Sequence, residues 1–268
     1  TDSLAANTTA NALVEGASAS EATITPTTRL NNLTQIVGKT VMVSGTLLAS
    51  DLAGRKSEMA YQLAKASAEI KRDIETIITA NQGQTAGTSG SSARKLGSLL
   101  SYIKTNTSKN GTSVTGVDPT TLGVSTRTDG TTRAFTETIL KDVIAKVFSS
   151  GGTPSALFVS PAQKQVVSGF TGLAAQRYQV PTNGQATILA GADLYQSDFG
   201  VLQIVPDRFM RSRDALILDP EYASLAYLRP FQTYDIARVG DADKKQILAE
   251  LTLEVSNEAA HGGVFDLS

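Results

Sequence analysis

Met59-Ala60-Tyr61-Gln62-Leu63-Ala64-Lys65-Ala66-Ser67-Ala68-Glu69-Ile70-Lys71-Arg72-Asp73-Ile74-Glu75-Thr76-Ile77 carries a single apolar stripe. Met59, Leu63, Ala66, Ile70, Ile74 and Ile77 recur at spacings of four and three, the period of an amphipathic helix. Arg55, Lys56, Glu58, Lys65, Glu69, Lys71, Arg72 and Asp73 fall on the other side. The pattern predicts a helix from about Asp51 to Asn81, roughly 45 Å long at 1.5 Å per residue. That is the length of a beam laid across a domain rather than of an ordinary core helix.

A beam needs a surface to lie on, and the sequence supplies one far downstream. Ile247, Ala249, Leu251, Leu253 and Val255 alternate with Gln246, Leu248, Glu250, Thr252, Glu254 and Ser256, which predicts a strand of about ten residues with one apolar face. Between the two lie a Gly-, Ser- and Thr-rich stretch over 82–130, with Gly87-Thr88-Ser89-Gly90-Ser91-Ser92 near its start, and then a compact alternation of elements. Within 82–130 only Leu96, Leu99, Leu100, Tyr102 and Ile103 hint at a short helix, so the stretch is expected to be a functional loop or an insertion. A second amphipathic helix runs from Thr132 to Gly151-Gly152 on Phe135, Ile139, Val143 and Val147. Ala156–Val159 reads as a strand, and Ser160-Pro161-Ala162-Gln163 as a capping box with proline at the first helical position, its helix ending near Gly169. Short strands are expected at Asp193–Ser197, Val201–Val205 and Leu216–Leu218, a helix start at Asp219-Pro220-Glu221, and extended chain at Ala226–Leu228 and Gln232–Ile236.

Residues 1–46 are poor in charge and in bulky side chains. Thr40–Ser44 alternates as a strand, and Ile24–Leu30 reads as a second extended piece whose Pro26 suits only an edge. Two thin strands are marginal alone. They must lie either on their own domain or on another surface.

Composition narrows the chemistry. The 268 residues carry 24 Lys and Arg against 25 Asp and Glu, a net charge of −1, which argues against a surface built to neutralise phosphates. With no cysteine, neither disulfides nor thiolate metal sites contribute. No apolar run approaches the length of a membrane span, so a soluble protein is expected. The single histidine, His261, sits in Ala259-Ala260-His261-Gly262-Gly263 without a serine or carboxylate beside it, and is expected to be structural. Asp241-x-Asp243 opens like a calcium loop but has Gln246 at the sixth position and Thr252 at the twelfth, so a charged turn is expected. Asp207, Asp214 and Asp219 have turn or cap contexts and are the sole carboxylates considered for catalysis. The densest basic cluster, Asp207-Arg208-Phe209-Met210-Arg211-Ser212-Arg213-Asp214, reads as an ion-pairing surface for a neighbour, a weak contact with nucleic acid, or a solvated loop. No catalytic, cofactor or metal site is predicted. The lack of tryptophan argues against a secreted adhesive or carbohydrate-binding module.

Three stretches together carry a resemblance. They are Ala53-Gly54-Arg55-Lys56-Ser57-Glu58-Met59-Ala60-Tyr61-Gln62-Leu63-Ala64-Lys65; Tyr195-Gln196-Ser197-Asp198-Phe199-Gly200 with Val205-Pro206-Asp207-Arg208; and Leu218-Asp219-Pro220-Glu221 leading to Leu228-Arg229-Pro230. Gly240-Asp241 and Leu251-Thr252-Leu253-Glu254-Val255-Ser256-Asn257-Glu258 continue the order. In order and spacing the chain resembles the major head (capsid) proteins of tailed bacteriophages with the Hong Kong 97-type fold.

The resemblance implies an α+β capsid fold in which 1–46 is an extended loop or arm across an adjacent subunit. Residues 47–130 would be a peripheral domain with the spine helix and an insertion, 131–228 an axial domain, 229–256 the peripheral long strands, and 257–268 a return to the axial domain. It further implies a homo-oligomer of hexamers and pentamers in a shell, with portal and scaffolding proteins as partners, weak nonspecific contact with packaged double-stranded DNA, and no membrane. The inter-subunit contact candidates are Arg29, Lys39, Arg55, Lys56, Glu58, Arg72, Arg208, Arg211, Arg213 and Arg229. Some relatives join a Lys to an Asn covalently; Lys39 is available, but no pattern here supports such a link. The family has further residues before the point matching Thr1, so an N-terminal arm is expected to have been trimmed or cleaved. A cellular nanocompartment shell of the same fold is the alternative.

Overall fold

The protein is described from a computed structural model covering residues 9, 11–16, 18, 29–50, 54–111, 116–170 and 193–268. In chain order its elements are β1 (Gln35–Ser44), α1 (Gly45–Ala49), α2 (Glu58–Thr79), α3 (Leu99–Tyr102), β2 (Thr107–Ser108), α4 (Glu137–Ser149), β3 (Ala156–Val159), α5 (Pro161–Ser168), β4 (Leu194–Ser197), β5 (Gly200–Pro206), β6 (Ala215–Leu218), β7 (Ala223–Ile236), β8 (Ala242–Val255) and β9 (Gly262–Val264). Single 3₁₀ turns follow β6 and β8.

The beam helix starts at Glu58, later than the expected Asp51. Gly54 sits at a φ of 83°, which helical backbone cannot adopt, and Ser57 caps the helix by accepting from the Ala60 N–H at 3.3 Å. The 22 residues of α2 span about 33 Å; residues 51–53 of the expected helix lie outside those described. Met59, Ala66, Ile70, Ile74 and Ile78 are buried along it.

The helix packs on a three-stranded sheet of order β1-β8-β7. β8 is central, and its apolar row, Ile247, Ala249, Leu251 and Leu253, joins Ile70, Ile74 and Ile78 in one core with Val37 of β1. β1 pairs with it antiparallel from Gln35↔Leu251 to Ser44↔Ala242. Ten residues of the span expected to form an arm are therefore a strand of this chain's own sheet, held by Val37 and Val43, which turn inward. The extended piece expected at Ile24–Leu30 falls largely outside the described residues. β7 replaces the two extended pieces expected after Asp219, and its register slips between Tyr227 and Arg229 and again before Gln232. Pro230, which has no N–H to give the ladder, lies in that interruption.

Glu250 departs from the alternation. It is only 4% exposed on the far side of β8, because Arg94 and Thr34 reach one carboxylate oxygen and Arg229 the other, at 2.9 Å. Arg94 belongs to the 82–130 stretch, which packs against the sheet. Leu96, Leu100 and Ile103 are fully buried in the helix–sheet core. Asn81 and Gln82 tie its two ends to the backbone at Arg127 and Leu96.

A second sheet of six strands runs β2-β9-β6-β3-β5-β4, with β3 and β5 parallel and β6 antiparallel to both of its neighbours. α4 covers it, with Leu140, Val143, Ile144 and Val147 meeting Leu157, Val159, Leu202, Ile204 and Val264. Ser160 caps α5 as its sequence predicts, accepting from the Gln163 N–H at 3.4 Å. The whole of β6 is buried. Ala215 and Ile217 enter the core under α4, whereas Leu216 and Leu218 enter the core under α2. β6, together with Val264 at the end of β9 and Phe265 just after it, is thus the joint between the two cores.

Candidate functional site

The ten charged candidates do not gather at one place. Lys39 points from β1 to α2, where its ammonium pairs with Glu69 at 3.0 Å and Asp73 at 3.2 Å. The hydrogen bond that Lys39 donates to Glu69 raises the lysine pKa, and the lysine holds the Glu69 carboxyl below its usual range. Arg55 pairs with Glu58 at 2.9 Å and stacks over Tyr61, so this trio decorates the start of α2. Arg72 lies over the Phe209 ring at 5.2 Å, joining α2 to the loop after β5. Arg229 is committed to Glu250. Arg29, Lys56 and Arg208 are exposed and, among the described residues, make no ion pair.

Arg211 and Arg213 turn inward. Arg211 binds Asp129 and lies 3.3 Å from Asp214; Arg213 donates to the Gly130 carbonyl and approaches Asp266 at 3.7 Å. Arg127 completes the cluster. Its guanidinium is fully buried, 2.9 Å from Asp118 and stacked over Phe265 at 3.6 Å. Asp266, at a φ of 63°, accepts from the Asn110 and Gly130 N–H groups. The node pins residues 265–268 between the 129–133 and 211–214 loops, since Arg133 N–H donates to Asp266 and Leu267 N–H to Arg213. The sequence marked this basic cluster as a surface, whereas two of its three arginines serve the interior.

Two of the three carboxylates considered for catalysis hold a turn of their own chain, and the third pairs with Arg211. Asp207 accepts from the Phe209 N–H, Asp219 from the Glu221 N–H, and Asp214 lies at the opposite end of β6 from Asp219. Burial lifts the Asp214 pKa to about 6 against the pull of Arg211 and Arg127. His261 is fully buried; its Nδ1 accepts from the Asp219 N–H at 3.2 Å, which puts the imidazole proton on Nε2, and burial lowers its pKa. No cluster of His, Cys, Asp and Glu suited to a metal ion occurs among the described residues. No helix of the described residues is long and apolar enough to cross a membrane.

Apolar side chains on the surface were missed by the charge-based reading. Leu225, Tyr227, Leu228, Tyr234 and Ile236 are exposed on β7, whose outer edge pairs with no described strand. Met42, 63% exposed, and Ile236 flank Lys244 in one row across the sheet face away from α2. On the other lobe Phe148 and Phe199 stack at 4.8 Å while both remain about half exposed. The signal existed in the sequence: the Gln232–Ile236 pattern has apolar residues that no buried face requires. Exposed apolar side chains on an unpaired strand edge offer a place for another strand or molecule to dock.

The family model of the SU10 major capsid protein matches residues 1–268. The major capsid protein of Escherichia phage Phieco32 is 26% identical over 296 residues, covering 99% of this chain and 84% of that protein. Among solved structures, the cyanophage A-1(L) capsid asymmetric unit aligns with a TM-score of 0.62 at 11% identity, over 87% of this chain and 77% of that one. The holo-SrpI encapsulin complex of Synechococcus elongatus PCC 7942 aligns at 0.51 and 11%, over 88% and 75%, which shows a shared fold alone. A beam helix on a long three-stranded sheet, a second lobe joined through β6, and a family match over the full sequence agree. The chain belongs to the SU10 major capsid protein family, and is a phage shell subunit of the Hong Kong 97-type fold.

Proposed function

We propose that the subunit assembles into hexamers and pentamers that close an icosahedral head around double-stranded DNA, in the cytoplasm of the host, and that it has no catalytic activity. The observation that carries this reading is the exposed apolar edge of β7, which a lone subunit would leave in water at a cost. The lobe of α2 and the three-stranded sheet is read as peripheral, and the lobe of the six-stranded sheet as axial. Arg29, Lys39, Arg55, Lys56, Glu58, Arg72, Arg208, Arg211, Arg213 and Arg229 are the charged candidates for contacts between copies, of which Arg29, Lys56 and Arg208 make no ion pair inside the described subunit. A portal and scaffolding proteins are the further partners, and the near-neutral net charge limits contact with packaged DNA to weak, nonspecific pairing. Many modest interfaces suffice, because closure multiplies them.

Negative-stain microscopy of the purified protein tests the assembly. Capsomers, sheets or shells are expected; a dispersed monomer at high concentration would overturn it. Shells recovered from infected or expressing cells that hold a protein cargo and no nucleic acid would favour the nanocompartment alternative, to which the encapsulin-like fold is the sole pointer.

A further inference from the structure

The lobe of the six-stranded sheet leaves aromatic surface uncovered at one end. Phe148, in the last turn of α4, and Phe199, in the turn between β4 and β5, stack at 4.8 Å with 49% and 45% of their surfaces exposed. β4 closes the strand order, so its outer edge pairs with no described strand. Asp198 sits beside Phe199 on the same turn. It is exposed and makes no ion pair among the described residues; Lys141, a cation of this subunit that feels its charge, is held by Glu137 at 2.9 Å. β5 then runs seven residues from Gly200 to Pro206, about 23 Å at 3.3 Å per residue, and Arg208 follows at its far end. Arg208 is exposed without an ion pair, and its neighbours face other tasks. Asp207 accepts from the Phe209 N–H at 2.9 Å, and Arg72 covers the Phe209 ring.

An unpaired carboxylate beside stacked rings at one end of a strand and an unpaired guanidinium at the other cannot meet within one subunit. They can meet between two. A guanidinium suits both halves of that target, since it forks onto a carboxylate and lies flat on an aromatic face. Arg29 and Lys56, the other candidates without an ion pair, precede β1 and α2 in the other lobe. We propose that Arg208 of one copy docks on the Phe148–Phe199 pair of a second copy, its guanidinium bound to Asp198 and laid on the exposed ring. Like lobes then join head to tail, a heterologous contact that closes into a ring when its rotation allows. Aromatic and arginine side chains are those that interfaces concentrate. Such a contact presupposes the shell assembly proposed above, of which it is one interface.

Charge exchange tests the contact, with assembly followed by light scattering and negative-stain microscopy and folding by thermal melting. Arg208→Glu and Asp198→Arg, each alone, are expected to raise the protein concentration needed for assembly by about tenfold or more, because each sets like charges together. The double variant with both substitutions restores opposite signs and should return to within roughly threefold of wild type. A double variant no better than the worse single one, or single variants that assemble like wild type, would overturn the contact. Wild type that never assembles sinks the shell reading and the contact with it, whereas assembly without rescue sinks the contact alone. Should a charge variant not fold, the lack of native cysteine gives a second route. Asp198→Cys with Arg208→Cys in one chain, treated in the assembled state with a short bis-maleimide, should yield a ladder of joined copies; assembled but unlinked subunits count against the proposal decisively.

Discussion

Two residues show how little room the interior leaves. Arg127 is a buried charge whose worth lies in what its loss would strand. Arg127→Leu removes the buried cation shared by Asp118 and Asp266, and the expected loss is about 3 kcal/mol in denaturant unfolding of the subunit, with Lys109 at 2.5 Å from Asp118 and Arg213 at 3.7 Å from Asp266 softening the effect. Gly130 needs its missing side chain. A Cβ there would sit 2.0 Å from the Asn110 carbonyl and 2.8 Å from the Asp266 carboxylate. Gly130→Ala should therefore give little folded protein, seen as loss of a cooperative melting transition. Ile70, 1% exposed in the centre of α2, provides the ordinary comparison: Ile70→Ala should cost about 2–5 kcal/mol without abolishing folding.

For single elements the agreement between pattern and structure follows the physics of each. α2, α4, α5 and β8 were legible because each buries one face, and burial on one face writes a period into the sequence. β6 was legible as a strand but not as the joint. A strand buried on both faces has a uniform apolar run, Ala215-Leu216-Ile217-Leu218, which carries no hint that its two sides serve different cores. Residues 82–130 looked like an insertion because Gly, Ser and Thr dominate the count, yet the few bulky residues, Leu96, Leu100 and Ile103, settle its place. The start of α2 was legible from Ser57 and Gly54, had the cap outweighed the charged residues before it. Ser57→Ala should cost about 1 kcal/mol and loosen the first turn, detectable as faster amide exchange at Met59 to Tyr61. Of the candidate contacts, charge alone could not separate Arg208, which stays outside, from Arg211 and Arg213, which the Asp129 and Asp266 carboxylates draw in. Their partners are about 50 to 80 residues away in sequence, beyond the reach of any local pattern.

In the whole molecule, surface and interior substitutions should part company. Arg208→Glu, on an exposed side chain with no ion pair in the described subunit, should leave the subunit's unfolding free energy within about 0.5 kcal/mol while shifting assembly measured by light scattering. An unchanged scattering curve would remove Arg208 from the contact set. The position of β8 has a consequence for synthesis. β1 is complete once Ser44 is made, but its only described pairing partner begins at Ala242, and the second sheet takes in β9 later still. At about 5–20 residues per second a ribosome needs roughly 10–40 s to cover that gap. For that interval β1 has no described partner strand, so the three-stranded sheet under α2 cannot form. The lobe of α2 is therefore completed only near the end of synthesis, after β3–β6 of the second sheet have been made.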